Sequence, residues 1–171
     1  GGDSDNANRV FLNDGLGNFS DTGQSLGSND TADVILADVD RDGDLDIISA
    51  NSTSPSRIYL NDGSGEFTDS GQQLPSSPQV ISADFNLDGV PDLVFSGSPV
   101  RLFLNDGTGH FADSGKQLPD SNYIASADLN GDRRSDLVVE GDALLNIGAM
   151  NFVPLGQALP QDDFDLADVD G

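Results

Sequence analysis

Apolar residues along this chain come in short runs separated by stretches of Asp, Asn, Gly and Ser. Residues 34–38, 80–84 and 123–128 are apolar runs that end in Ala-Asp and lead into an Asp/Gly-rich loop. A second run follows each loop, at residues 47–48, 93–95 and 137–139, and a third spans residues 57–61 and their equivalents. An Asn-Asp-Gly turn then opens a polar stretch carrying Phe67, Asp69 and Gly71. Runs of this length bounded by turn residues predict β-strands. Asn, Asp and Gly tolerate the positive φ that tight hairpins demand. The unit closes on Leu74-Pro75, Leu118-Pro119 or Leu159-Pro160, Pro being tolerated at a sheet edge. Each unit therefore supplies four antiparallel strands, the inner ones apolar on both faces and the outermost polar.

The units are true repeats. Asn13, Asn61, Asn105 and Asn146 are spaced 48, 44 and 41 residues apart, and Phe19, Phe67, Phe111 and Phe152 drift in step with them. Leu26, Leu74, Leu118 and Leu159 do the same. Four strands in about 40 to 50 residues is the dimension of a β-propeller blade, which buries both faces only by stacking on neighbours. Ala37, Ala83, Ala127 and Ala167 suit an innermost strand crowded near the ring axis. A generic antiparallel sandwich would not explain why the strand pattern repeats in register. The expected fold is all-β: a propeller segment with the last two strands of one blade in residues 1–26, blades at 27–75, 76–119 and 120–160, and the first strand and truncated loop of another at 161–171. On this count 171 residues make about half a ring, to be closed by further sequence or a second chain.

Charge narrows the function. Thirty acids against seven Lys and Arg leave a net −23, which excludes a nucleic-acid binder and disfavours an anionic membrane surface. All but two of the acids are Asp, the exceptions being Glu66 and Glu140, and Asp is the residue of turns, caps and calcium loops. The chain has no cysteine and one histidine, His110, so thiolate chemistry and sulfur-ligated zinc are excluded, and a His-based catalytic triad finds no signature context. No apolar window is long enough to insert in a membrane.

The Asp residues concentrate between the first and second strands of each unit. The first loop carries Asp38, Asp40, Asp42, Asp44 and Asp46; the second carries Asp84, Asn86, Asp88, Val90 and Asp92. Oxygen side chains at positions 1, 3, 5 and 9 with Gly43 or Gly89 at position 6 wrap a hard cation that takes six to eight oxygens. Position 7, Asp44 or Val90, supplies a backbone carbonyl, and Asp46 or Asp92 closes the site in bidentate fashion. Mg²⁺ prefers stricter octahedral geometry and more retained water, so Ca²⁺ is the expected ion. The third loop keeps Asp128, Asn130, Asp132 and Asp136 with Arg134 at position 7, but Arg133 replaces the glycine. A left-handed backbone there costs on the order of 1 kcal/mol, and two cations stand close by, so this site is expected to be weaker. A fourth loop begins at Asp168 and Asp170 and stops two ligands short. Position 12, where an EF-hand needs an acid, is Ser49, Phe95 or Val139. One such loop would pass for an ordinary Asp/Asn/Gly turn; three at a regular pitch point to an ion that offsets the repulsion among their carboxylates.

The alternation of Asp-x-Asp/Asn-x-Asp-Gly-x-x-Asp loops with Leu-Asn-Asp-Gly-x-Gly-x-Phe-x-Asp-x-Gly strands resembles the FG-GAP/VCBS repeat, the blade of integrin-α-like propellers and of many bacterial secreted proteins. The resemblance implies calcium in the loop joining a blade's first two strands. It implies ligands on the opposite face, near residues 28–31, 51–56, 76–79 and 97–99. The resulting expectation is a secreted or cell-surface, non-catalytic module in which calcium is structural. It would bind a protein or glycan while packing against neighbouring blades of a longer chain or a second copy. The alternative is the non-catalytic propeller portion of a larger secreted carbohydrate-active enzyme, a lyase or hydrolase. Arg9, Arg57 and Arg101 read as solvated edge charges, His110 as an exposed turn residue, and Phe11, Tyr59 and Phe103 as packing between blades.

Overall fold

The computed structural model describes residues 7–27 and 30–158, and these contain strands and turns but no helix. The first sheet pairs β1 (Asn8–Asn13) with β2 (Phe19–Leu26). Three four-stranded antiparallel sheets follow in chain order. The second is built from β3 (Thr31–Ala37), β4 (Asp46–Asn51), β5 (Arg57–Asn61) and β6 (Phe67–Asp69). The third comprises β7 (Val80–Ala83), β8 (Asp92–Phe95), β9 (Arg101–Asn105) and β10 (Phe111–Asp113). The fourth comprises β11 (Ile124–Ala127), β12 (Asp136–Val139), β13 (Asp142–Asn146) and β14 (Phe152–Ala158). Strands β3, β7 and β11 approach one another from sheet to sheet, and the sheets form an open arc of propeller blades rather than a closed ring. Residues 159–171, including Leu159, Ala167 and the expected fifth partial blade, lie outside the described residues.

The core lies between the blades. Ile48, Ala50, Ile58 and Leu74 of the second sheet pack with Val80, Leu93, Phe95, Phe103 and Phe111 of the third. Val94, Val100, Leu102 and Leu118 of the third pack with Ile124, Leu137, Val139 and Leu144 of the fourth. Successive side chains of a strand point to opposite faces. Leu93 and Phe95 therefore meet the preceding blade while Val94 meets the next, which is why all four residues of β8 and of β12 are buried. Phe95 and Phe103 meet edge to face at a centroid distance of 5.8 Å. The same repeat position changes environment at the first sheet: Phe11 is 52% exposed, whereas its equivalents Tyr59 and Phe103 are buried. Phe19 is likewise at the surface and its equivalent Phe111 buried. No preceding sheet stands against β1 and β2 among the described residues to cover them.

Side-chain amides tie the outer strands of adjacent blades. Gln24 accepts from the Phe67 N–H at 2.8 Å and donates to the Gly65 carbonyl at 2.7 Å. One repeat on, Gln72 accepts from the Phe111 N–H at 3.0 Å and donates to the Phe111 carbonyl. In the next copy Lys116 stands at this position and reaches the Ala149 carbonyl. Replacing Gln72 with Ala removes both bonds of one such clamp. The expected loss is about 1 to 2 kcal/mol, read from the urea midpoint at unchanged m-value.

The three arginines expected as solvated edge charges are partly exposed and each is ion-paired. Arg9 pairs with Asp21, Arg57 with Asp69 and Arg101 with Asp113, each across the third and fourth strands of one blade. The Asp of the Phe-x-Asp-x-Gly signature is thus the arginine's cross-strand partner. His110 is exposed, with Asp106 at 3.9 Å.

Candidate metal loops and their anchors

The turn between first and second strands has the same backbone in all three four-stranded sheets. In the first loop, Asp38 accepts from the Arg41 N–H at 2.8 Å and the Gly43 N–H at 3.2 Å, Asp40 from Asp42, and Asp42 from Asp44. In the second, Asp84 accepts from Leu87, Asp88 and Gly89, Asn86 from Asp88, and Asp88 from Val90. Asp128 accepts from Asn130, Gly131, Asp132 and Arg133 in the third, with Asn130 and Asp132 continuing the ladder. These backbone donors hold the Asp128 carboxyl below its ordinary value, the Arg133 N–H contributing most.

Two positions in each loop need a left-handed backbone. Position 6 has φ 95° at Gly43, 84° at Gly89 and 65° at Arg133; position 4 has φ 66° at Arg41, 64° at Leu87 and 77° at Gly131. Such a conformation is sterically open to Gly and costly for other residues. The third loop has moved its glycine from position 6 to position 4, so each loop carries one strained non-Gly residue. Gly131 thus offsets the strain at Arg133, and strain does not set the third loop apart from the other two. The third loop does carry a cation of its own, the Arg134 guanidinium donating to Asp132 Oδ2 at 2.9 Å, an oxygen at one of the expected ligand positions.

Position 9 is the loop's anchor to the fold. Asp46, Asp92 and Asp136 have no exposed surface. Asp46 accepts from the Val39 N–H at 2.9 Å and the Asn61 N–H at 2.8 Å. Asp92 accepts from Phe85 at 3.0 Å and Asn105 at 3.0 Å, and Asp136 from Leu129 at 2.9 Å and Asn146 at 2.7 Å. Each carboxylate joins the start of its loop to the end of the third strand. Burial pushes the Asp46 and Asp92 carboxyls above their ordinary value, opposed by those backbone N–H bonds and reinforced by the neighbouring loop carboxylates. Among the described residues, Asp46 does not join the group of converging carboxylates that Asp38, Asp40 and Asp42 form.

The Asn of the Leu-Asn-Asp-Gly turn links the loops of neighbouring blades. Asn105 donates through Nδ2 to Pro91 of its own loop at 3.1 Å and to Val39 of the preceding loop at 2.9 Å. Asn146 donates in the same way to Ser135 and to Phe85 of the preceding loop. Gly109 is required at the same junction: it has φ 73°, its N–H donates to the Val39 carbonyl, and a Cβ would stand 3.2 Å from Leu60. Position 2 completes the anchor, since Val39 and Phe85 are buried against the following blade, with Phe85 edge-on to Phe152 at 6.0 Å.

The donor chemistry fits a hard cation. Carboxylate oxygens of Asp38, Asp40 and Asp42 lie within 4.8 Å of one another. Ligands bound to one Ca²⁺ at 2.3–2.6 Å can be at most about 5 Å apart, so all three can share an ion. The second and third loops place Asn86 and Asn130 at the equivalent of Asp40 on the same backbone ladder. Strands β4, β8 and β12 begin at position 9, so Ser49, Phe95 and Val139 are buried strand residues. Asp168 and Asp170 lie outside the described residues.

A search of curated proteins finds no match to the chain. Among protein families, the FG-GAP-like repeat matches three times, over residues 1–49, 38–95 and 84–139. Successive matches overlap on the first and second Asp-rich loops, so the family unit runs from one loop through a blade to the next. With three consecutive repeats across most of its length, the chain belongs to the FG-GAP-like repeat family.

Proposed function

We propose that the chain is a calcium-binding extracellular repeat module, secreted or cell-surface, that binds a protein or glycan and has no catalytic role. The observation carrying the calcium reading is the convergence of Asp38, Asp40 and Asp42 within 4.8 Å on a loop anchored at both ends to the core. Asp38, Asp40, Asp42, the Asp44 carbonyl and Asp46 hold the first ion, and Asp84, Asn86, Asp88, the Val90 carbonyl and Asp92 the second. Asp128, Asn130, Asp132, the Arg134 carbonyl and Asp136 hold a weaker third. Bound calcium supplies a divalent charge that neutralises these carboxylates and draws the loop around one centre. Its role here is structural, cross-linking a chain that has no disulfides.

The binding reading is supported on the opposite face, where antiparallel topology puts the connections β4–β5, β6–β7 and β8–β9. Two open surface clefts of about 440 and 350 Å³ meet there and share Pro75, Ser76 and Arg101. Ser54 lines the larger, and its hydroxyl is buried without a hydrogen-bond partner in the described protein.

Calcium removal tests the first part. At roughly 10 to 100 times its dissociation constant, an ion bound only by the folded state stabilises it by about 1.4 to 2.7 kcal/mol. Two filled loops should raise the melting temperature by on the order of 10 °C. A chelator should abolish that rise, excess calcium should restore it, and equimolar magnesium should not. Identical melting with and without chelator would overturn the reading.

A further inference from the structure

The first and second loops are joined by a contact that the second and third lack. Arg41, at position 4 of the first loop, donates through Nη2 to the Asp88 carbonyl at position 5 of the second, at 2.8 Å. To reach it the guanidinium passes over the β9–β10 turn, where a Cβ on Gly107 would stand 3.4 Å from Nη1 and 3.5 Å from Cζ. The equivalent of Arg41 in the second loop is Leu87, which is 58% exposed and has no polar atom to offer the third loop.

We propose that Arg41 couples calcium binding at the first loop to calcium binding at the second, with positive sign; the inference rests on the calcium reading above. Arg41 sits between Asp40 and Asp42, and its own N–H is held by Asp38. Its backbone is in the left-handed region that a non-Gly residue enters only when its surroundings hold it there. An ion drawing Asp38, Asp40 and Asp42 together fixes that conformation, and with it the guanidinium that holds the Asp88 peptide. The second loop then meets its ion already ordered, and the ordering cost is not incurred twice. Linkage makes the effect reciprocal. The Asn105 and Asn146 clamps occur at both junctions and grip position-2 carbonyls whose side chains pack in the core. Arg41 is the bond between the ion-wrapping arcs themselves. Five carboxylates and one guanidinium leave the first loop negative even with a divalent ion bound, so its filling does not turn the site into a cation that repels the second ion.

The test is a calcium titration of the full chain labelled with ¹⁵N-glycine, followed by amide spectra. Gly43 reports the first loop, Gly89 the second and Gly131 the third, each amide being bonded to the position-1 carboxylate of its own loop. In Asp38→Ala the Gly89 midpoint should move to about fivefold higher calcium while Gly131 stays in place. In Arg41→Leu, which copies the Leu87 situation, Gly89 should move by a similar factor. In the double variant it should move no further than in either single one. If Asp38→Ala does not fold, Asp42→Ala, at an exposed position that is Asp in all three loops, takes its place and is expected to give the same pattern. A Gly89 midpoint indifferent to the first loop would overturn the coupling, as would a shift that persists undiminished in the Arg41→Leu background or that Gly131 shares. Calcium shifts at all three glycines of the wild type would in those cases leave the calcium reading intact, whereas no shift at any glycine would overturn both.

Discussion

Asp92→Ala should lower the unfolding free energy by about 3 kcal/mol in the presence of chelator, and by more in calcium. Asp92 is wholly buried and accepts from the N–H groups of Phe85 and Asn105. Alanine leaves both donors without an acceptor in a dry site, at about 1.5 to 3 kcal/mol for each bond to a charged group. Some of that loss is returned, because the carboxylate itself is held against its desolvation, as its raised pKa shows. In calcium the variant also forfeits the second ion, a further 1.4 to 2.7 kcal/mol or so at the loadings considered above. Chemical denaturation with and without chelator separates the two parts. If variant and wild type unfold at the same denaturant concentration in chelator, position 9 serves the ion alone and the anchoring role is wrong.

Phe85→Ala should cost about 3 to 5 kcal/mol, the range for emptying a large aromatic site in a packed core. The residue is the second of an Asp-rich loop, where local sequence would place a solvent-exposed side chain, yet it is 1% exposed and packs on Phe152 of the next blade. Two positions along, Leu87 is 58% exposed, so Leu87→Ala should stay within about 0.5 kcal/mol. Phe85→Leu should fall between the two. A Phe85→Ala effect no larger than that of Leu87→Ala would show that the loop is not anchored between blades.

The strand order, the blade and the placement of the loops were legible in the sequence because a repeat reports its own structure several times over. The alternation that sends Leu93 and Val94 to different neighbours follows directly from period-two geometry. Loop positions 1, 3 and 5 were legible for a similar reason, since only Asp and Asn stand there. What escaped were contacts between repeats. Asn105 reads as a turn residue, and its hold on Val39, 66 residues away, has no local signal. Gln72 and Gln24 recur at the repeat spacing, but a polar residue on a polar outer strand gives no hint that it bonds the next blade. Position 9 looks the same in sequence whether it binds a metal, anchors the backbone or does both. The left-handed backbone at position 4 is hidden in the first two loops by Arg41 and Leu87 and shows only where Gly131 takes their place. That exchange also corrects the expectation of extra strain at Arg133. Phe11 was read by analogy with Tyr59 and Phe103, and the analogy fails where no preceding sheet stands among the described residues to cover it.

Whether these loops bind calcium is decided by calorimetric titration of CaCl₂ into chelator-stripped protein. Heat is expected from two sites and a weaker third, the third strengthened when Arg134→Ala frees Asp132. No calcium heat from protein shown to be folded would contradict the calcium reading.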